Sequence, residues 1–458
     1  MAAIIVVDLQ PGDAGKGSTV DWLTWLYQAT VNFRFNGGPQ AAHNVVTVDG
    51  RHHTFSQFGS GTLQHAPTLL SRHSLVDLLA LEKEAEHLET LGIAVPLHKL
   101  AVDYRAPIIT PFQTAANRLK ELSRGDSRHG SCGKGIGETV QDLVTYGTAM
   151  LTIGDLLKPH ITLAKLRFIQ ELKLTEVAEL AKKLTRTKQV LNELMWLEST
   201  NVTSLLVEEY YRLARLVNIV DQEGINELFN HSALIVAEGA QGIQLDETYG
   251  FYPYTTWSDT TPTNAYGVLA ESKYNEGTTV LGLLRGYWTR HGAGPFVSED
   301  IGLTYRLTEP HNGTNPWQGK FRVGYFDVVA AQYAIEIAKP QVLGITMLDR
   351  MREIPKWKIC IAYRYIGNPS DLDGYFDHDG SIIKLIIVLP NPSLVHQERC
   401  GQLMQNCQPL YEDLRLPTGS KMDSMKYVHV LEAKLGIPVA VASFGPTIAD
   451  KQLLQPLM

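Results

Sequence analysis

The sequence predicts an α/β protein whose largely parallel central β-sheet is flanked by helices. Two patterns carry this reading: short apolar, β-branched runs in which both faces are filled, and helical stretches between them. The runs at residues 3–9, 233–237, 279–284, 342–348, 359–363 and 438–443 are expected as buried strands of that sheet. The first runs straight into a glycine-rich turn and has no basic segment before it, so it reads as a strand rather than a secretion signal. Residues 163–228 change to a helical pattern, with Leu172, Val177, Leu180, Leu184 and Leu191 recurring among Lys and Glu. A helical subdomain packed against the sheet is expected there, inside one elaborated domain covering 1–458, because no linker, repeat or low-complexity tract divides the chain. The run Lys182, Lys183, Arg186, Lys188 reads as a solvated helix face.

Composition narrows the partners. The 458 residues are 44% hydrophobic and 19% charged, with 41 Lys+Arg against 48 Asp+Glu and a formal net charge of −7. Such a chain has no global basic field for nucleic acid or an anionic membrane, so any phosphate it binds is held locally. No run approaches the ~18 apolar residues of a membrane span. Cys132, Cys360, Cys400 and Cys407 lie far apart, without zinc-ligand spacing, and a reducing, cytoplasmic setting is expected.

The chemistry starts at the first turn, where the strand is followed by Gly12-Asp13-Ala14-Gly15-Lys16-Gly17 and by a helix expected from about Thr19. Glycines between a strand and a helix let backbone N–H groups converge on phosphate, and Lys16 adds charge. The order is like that of P-loop nucleoside triphosphatases, yet Gln10 stands where the P-loop pattern needs glycine. A turn of this kind is also compatible with a tight turn and nothing more. Asp13 argues for chemistry, since a carboxylate beside phosphate is costly unless it holds a metal ion or abstracts a proton.

This loop resembles the Gly-Asp-Glu-Gly-Lys-Gly loop of the adenylosuccinate synthetase family. Further blocks follow in the family's order: Asn36-Gly37-Gly38-Pro39-Gln40-Ala41-Ala42-His43, Gly133-Lys134-Gly135-Ile136-Gly137, Glu238-Gly239-Ala240-Gln241-Gly242, Tyr252-Pro253-Tyr254-Thr255-Thr256, Thr289-Arg290-His291-Gly292-Ala293-Gly294, Gly319-Lys320-Phe321-Arg322, Thr346-Met347-Leu348-Asp349 and Ser443-Phe444-Gly445-Pro446. The resemblance spans nearly the whole chain. It implies a ligase that phosphorylates the 6-oxygen of a purine nucleoside monophosphate, IMP in the family, with GTP, and then lets the amine of L-aspartate displace phosphate. Asp13 is implied as the base for the purine N1 proton and, with Ala42, as a magnesium ligand. His43 is implied as the acid beside the 6-oxygen, and Lys16 with Gly12, Gly15 and Gly17 as the phosphate cradle. The purine monophosphate falls to Gln40, Ser131, Cys132, Gln241 and Thr256, and aspartate to Gly319, Lys320 and Arg322. The donor's base falls to Asp349, Ser443, Gly445 and Pro446, and the family implies a homodimer.

Several positions depart from the family pattern. Ala14 replaces a glutamate, Pro39-Gln40 replaces His-Asn, Cys132 replaces a threonine, and Met347 replaces the lysine that packs on the donor base. Tyr146 stands where an arginine reaches across the dimer, and the aspartate loop reads Trp317-Gln318-Gly319-Lys320-Phe321-Arg322. Three readings therefore stand open: the IMP and GTP enzyme, a 2-aminoadenylosuccinate synthetase using (d)GMP with ATP or GTP, and a nucleotide-binding regulator that has lost catalysis. A small residue is typical at the Asp13 position in the second branch, so Asp13 favours the first.

Overall fold

The computed structural model describes residues 2–125, 131–309, 319–417 and 420–457. Its centre is a ten-stranded sheet built from β1 (Ala2–Asp8), β2 (Val31–Arg34), β3 (Thr68–Leu70), β4 (Leu100–Asp103), β5 (Asn218–Val220), β6 (Leu234–Glu238), β7 (Gly277–Arg285), β8 (Val342–Thr346), β9 (Val439–Ser443) and β10 (Lys451–Leu453). The spatial order is β10-β9-β8-β7-β1-β6-β2-β3-β4-β5, and every neighbouring pair is parallel except β9 with β10. β1 lies between β6 and β7, and Ile4, Ile5 and Val6 have no exposed surface. One side chain of the alternation joins each of two cores: Ile5 and Val7 pack with Phe33, Leu284 and Ile345, whereas Ile4 and Val6 pack with Val20, Leu23 and Val441. Burial on both faces is what the unbroken apolar runs require.

Five of the six expected strands lie in this sheet, and the run at 359–363 does not. It belongs to the strand Lys358–Tyr365, which pairs antiparallel with Cys407–Asp413 and Ile382–Ile386 and parallel with Phe326–Asp327 in a separate sheet. Ile361 stands at a register shift in the pairing with Cys407–Asp413 and is exposed, so an apolar side chain at the surface made the run look doubly buried. The helical stretch expected over 163–228 is resolved into helices Pro159–Lys183, Lys188–Glu198 and Val202–Ala214, and the chain then returns to the central sheet through β5 before the helix Gln222–Asn230. The first helix after β1, α1 (Lys16–Tyr27), starts at Lys16 rather than near Thr19, with Gly15 at its N-cap in the left-handed conformation. No helix among the described residues is long and apolar enough to cross a membrane.

Candidate active site

Because β9, β8, β7, β1, β6 and β2 are parallel neighbours, their carboxyl ends fall on one edge of the sheet. Each is followed by one of the blocks singled out in the sequence, and hydrogen bonds tie the blocks together. Thr346 Oγ1 donates to the Ala14 carbonyl (3.0 Å), and Leu348 N donates to the Ser443 carbonyl (3.0 Å). Asn36 clasps Ala240 through both ends of its amide, at 2.7 and 3.0 Å. Gly37 N donates to Ser258 Oγ (3.2 Å), which brings in the turn carrying Thr256. A Cβ on Gly37, whose φ is 74°, would lie 2.6 Å from Ala240 Cβ, so only glycine lets these two loops touch.

The loop after β1 is organised by a buried carboxylate. Asp8 accepts from Gln10 N (2.8 Å), Ala14 N (2.7 Å) and Lys16 Nζ (2.8 Å), and Lys16 also donates to the Gly12 carbonyl (2.8 Å). The Lys16–Asp8 pair is shielded from water on both sides, which fixes the ammonium at the start of α1. Asp13 projects from the same loop and stays partly accessible. Its backbone carbonyl accepts from Arg285 Nε, and its Oδ2 lies 3.2 Å from His291 Nε2. Burial alone would raise the Asp13 pKa, but the hydrogen bond and charge of His291 and the charges of Arg285 and Lys16 outweigh it and hold the carboxyl at about 2. The group is therefore an anion at neutral pH.

His43 opens a two-stranded ribbon, His43–Val46 with His52–Phe55, that lies against α1. A Cβ on Gly17 would sit 2.8 Å from His43 Cβ, so the small residue in α1 is what admits the imidazole. His43 Nδ1 lies 2.5 Å from Glu238 Oε1, and Glu238 also accepts from Ser60 N (2.8 Å) and Ser60 Oγ (2.5 Å). Burial, with Arg34 and Lys16 nearby, lowers the His43 pKa to about 4 against the opposing pull of Glu238. Glu238 is itself held at about 2, because Arg34 and His43 override its burial. The pair is thus a neutral imidazole on a carboxylate, with the second ring nitrogen left for a ligand.

A second positive centre sits on the hairpin formed by Trp288–His291 and Phe321–Gly324. The antiparallel register puts Arg290 directly opposite Arg322. Like charges facing across a ribbon are unfavourable without an anion between them. Burial and the Arg322 charge lower the Arg290 pKa to about 9, and it stays cationic at neutral pH. Arg322 donates to Glu299 Oε2 and the Gly294 carbonyl (2.8 and 2.9 Å), and Arg290 to the Ala293 carbonyl (2.9 Å). Arg290 Nη1 and Arg322 Nε are nevertheless buried without a partner among the described residues, as are both amide atoms of Gln40, Gln241 Oε1 and Asp349 Oδ1. Buried polar atoms left unsatisfied at one edge are what a ligand would pair.

The remaining expected residues fall as follows. Ser131 Oγ donates to Asn117 Oδ1 (3.0 Å) and accepts from Gly133 N (3.1 Å), and Cys132 packs on Leu75, Ile109 and Ile136 with its thiol pKa raised by burial. Leu75 N donates to the Gly37 carbonyl (2.8 Å), which joins this turn to the glycine pair after β2. Ser443 Oγ donates to the Gly445 carbonyl (3.1 Å). Asp349 makes no side-chain cap, so the helix-cap role open to such an aspartate is not the one it takes. Gly319 is half-buried, Lys320 is exposed, and Trp317 and Gln318 lie outside the described residues. Ala42 offers a metal only its backbone carbonyl, and no group of three or more His, Cys, Asp or Glu side chains among the described residues is placed to hold a metal ion. One ionised carboxylate and a carbonyl fit magnesium, which keeps waters and takes much of its coordination from substrate phosphates.

A sequence model described as adenylosuccinate synthetase matches residues 5–451. The chain belongs to the adenylosuccinate synthetase family. It is accordingly a member of a family of nucleoside-triphosphate-dependent ligases that form a C–N bond. Its relatives include the adenylosuccinate synthetase of Clostridium beijerinckii, 31% identical with 97% of each chain covered, and that of Thermoplasma acidophilum, 29% identical with 96% of this chain and 94% of the other covered. The fold is that of the fully ligated adenylosuccinate synthetase from Plasmodium falciparum, with a TM-score of 0.77, 20% identity and 99% of both chains covered. It is also similar to the cyanophage S-2L succinoaminodeoxyadenylate synthetase bound to dGMP and dATP as an energy donor, with a TM-score of 0.60, 16% identity, and 99% of this chain and 96% of the other covered.

Four residues of the site were not singled out from the family's motifs. Asp8 ends an otherwise apolar strand, and a carboxylate in that place signals a partner. Glu238 and Arg290 stood inside quoted blocks, but only the fold shows that they face His43 and Arg322. Arg285 ends β7 and reaches Asp13 across the sheet, which no local pattern encodes.

Proposed function

We propose that this chain joins L-aspartate to the 6-position of IMP, with GTP as phosphoryl donor and magnesium at Asp13 and the Ala42 carbonyl. The observation that carries this reading is Asp13 itself, an anion held by His291 and Arg285 in the phosphate-cradling loop. The Asp13 carboxylate accepts the N1 proton, the 6-oxygen attacks the terminal phosphoryl group of GTP and GDP leaves; the amine of L-aspartate then adds at C6 and the 6-oxygen departs as inorganic phosphate. Lys16 and the N–H groups of Gly12, Gly15 and Gly17 neutralise the charge in transfer. Asp13 and the Ala42 carbonyl would hold magnesium, which would supply charge withdrawal from the donor phosphates. His43 is neutral in the free protein, and an anionic phosphate beside it favours the imidazolium that Glu238 then stabilises, so the acid is made as the site fills. Gln40, Ser131, Cys132, Gln241 and Thr256 hold the purine monophosphate.

Arg290 and Arg322, with Gly319 and Lys320, receive the aspartate carboxylates, whose charge relieves the facing guanidiniums. Asp349 accepts from the N1–H and N2–H of the donor guanine, while Ser443, Gly445 and Pro446 wall the base. The chain works as a single catalytic unit in the cytoplasm. A second copy packs against the surface around Tyr146 and Phe168, two exposed rings with centroids 5.6 Å apart. The test is phosphate release followed together with the ultraviolet absorbance of a succinyl-purine. Release that needs IMP, aspartate and GTP together supports the assignment. Preference for dGMP or ATP redirects the substrates, and no release under any combination identifies a binder without catalysis.

A further inference from the structure

Among the described residues given no role above, His291 reaches the Asp13 carboxylate. It ends the strand Trp288–His291, opposite Phe321 in the ribbon, and its ring centroid is 4.8 Å from that of Phe321. This packing sets the ring so that Nε2 comes 3.2 Å from Asp13 Oδ2. Asp13 stands in a loop with positive φ at Gly12 and Gly15, 110° and 82°. Its main chain is anchored by Arg285, but its carboxylate needs its own anchor, since an Asp side chain has two rotatable bonds.

We propose that His291 is a positioning residue for the proton-accepting carboxylate: its Nε2–H donates to one lone pair of Asp13 Oδ2 and so sets the direction in which the remaining lone pairs meet the purine and the metal. Two anchors, Arg285 on the carbonyl and His291 on the carboxylate, then fix the base at both ends. The Nε2–H is available in a neutral imidazole, so the role requires no change of charge at His291. The inference rests on the reading of Asp13 as the base. It concerns orientation, and a misplacement of ~1 Å in a reacting group costs about a hundredfold in rate.

The test compares His291→Phe, which keeps a ring against Phe321 and removes the donor, with His291→Gln, which keeps a donor. In the Phe variant kcat is expected to fall roughly 10–100-fold, while the KM values for nucleotides and aspartate and the Tm stay near wild type. The Gln variant is expected to recover most of the lost kcat. Equal losses in the two variants, or an unchanged kcat in the Phe variant, overturn the proposal. Should the Phe variant not fold, His291→Leu against His291→Gln reads the same contrast. Asp13→Asn run alongside separates the two readings. If Asp13→Asn is inactive and His291→Phe is normal, only the positioning role fails; if Asp13→Asn turns over, the base assignment fails first.

Discussion

Replacing Glu238 by Gln keeps the shape of the side chain and removes its charge. In the folded protein Glu238 lies 2.5 Å from His43 Nδ1 and accepts two bonds from Ser60, all out of water. A carboxylate in contact with an imidazolium contributes up to about 4 kcal/mol at an effective dielectric near 20. Part of this is retained by an amide that still accepts from the ring, so a loss of about 3 kcal/mol is expected in the transition state. At 1.36 kcal/mol per decade that is about a hundredfold in kcat. The assay is steady-state phosphate release with all three substrates saturating, on Glu238→Gln, His43→Ala and the double variant. If Glu238 acts through His43, the double variant turns over no more slowly than His43→Ala alone, because the two losses share one step. A Glu238→Gln enzyme within about threefold of wild type, under ~1 kcal/mol, refutes the reasoning. So does a double variant whose losses multiply.

Asp13→Asn and His43→Ala are each expected to lower kcat by roughly 10²–10⁴-fold with the fold intact, checked by circular dichroism and turnover. Arg290→Met should raise the KM for aspartate about a hundredfold or more, the loss of a buried charge-assisted contact of ~3 kcal/mol, without lowering Tm, because the free protein loses the repulsion between Arg290 and Arg322. Burial raises the Asp327 pKa to about 6, against the pull of the Ala330 N–H and the Tyr363 hydroxyl. A carboxyl with a raised folded pKa stabilises the fold below the unfolded pKa and loses that contribution as pH rises through about 6. Asp327→Asn should therefore gain on wild type in Tm between pH ~4 and ~7, by roughly 2–3 kcal/mol in stability; a constant difference across that range contradicts the shift.

The strands read correctly from sequence are those whose apolar residues fill both faces, as in β1 and β6, because burial on both faces leaves no polar position to blur the pattern. β2, β3, β4, β5 and β10 escaped notice because they are only three or four residues long or carry polar members. β2 reads Val-Asn-Phe-Arg, and its polar members are satisfied only by residues far along the chain: Gly61 N donates to Asn32 Oδ1 (2.6 Å), and Arg34 Nη1 donates to the Phe58 carbonyl (3.1 Å). β5 is three residues long and follows a run of helices, so nothing local marks it as a sheet edge. At the site, Asp13, Lys16 and His43 were legible because glycine spacing and a misplaced acid are visible in one stretch of chain. The facing pair Arg290 and Arg322 was not, since it exists only through the register of two strands whose members are 32 positions apart in sequence, a separation read from their numbering.

The proton abstraction proposed for Asp13 matters only if the purine oxygen then leaves as phosphate. IMP carrying a heavy isotope of oxygen at the 6-position, supplied with GTP, aspartate and magnesium, follows that atom through the reaction. The label is expected in the inorganic phosphate released by the wild-type enzyme, one atom per turnover, with none released by Asp13→Asn. Succinyl-purine formed together with unlabelled phosphate would contradict phosphorylation of the 6-oxygen and remove the role assigned to Asp13.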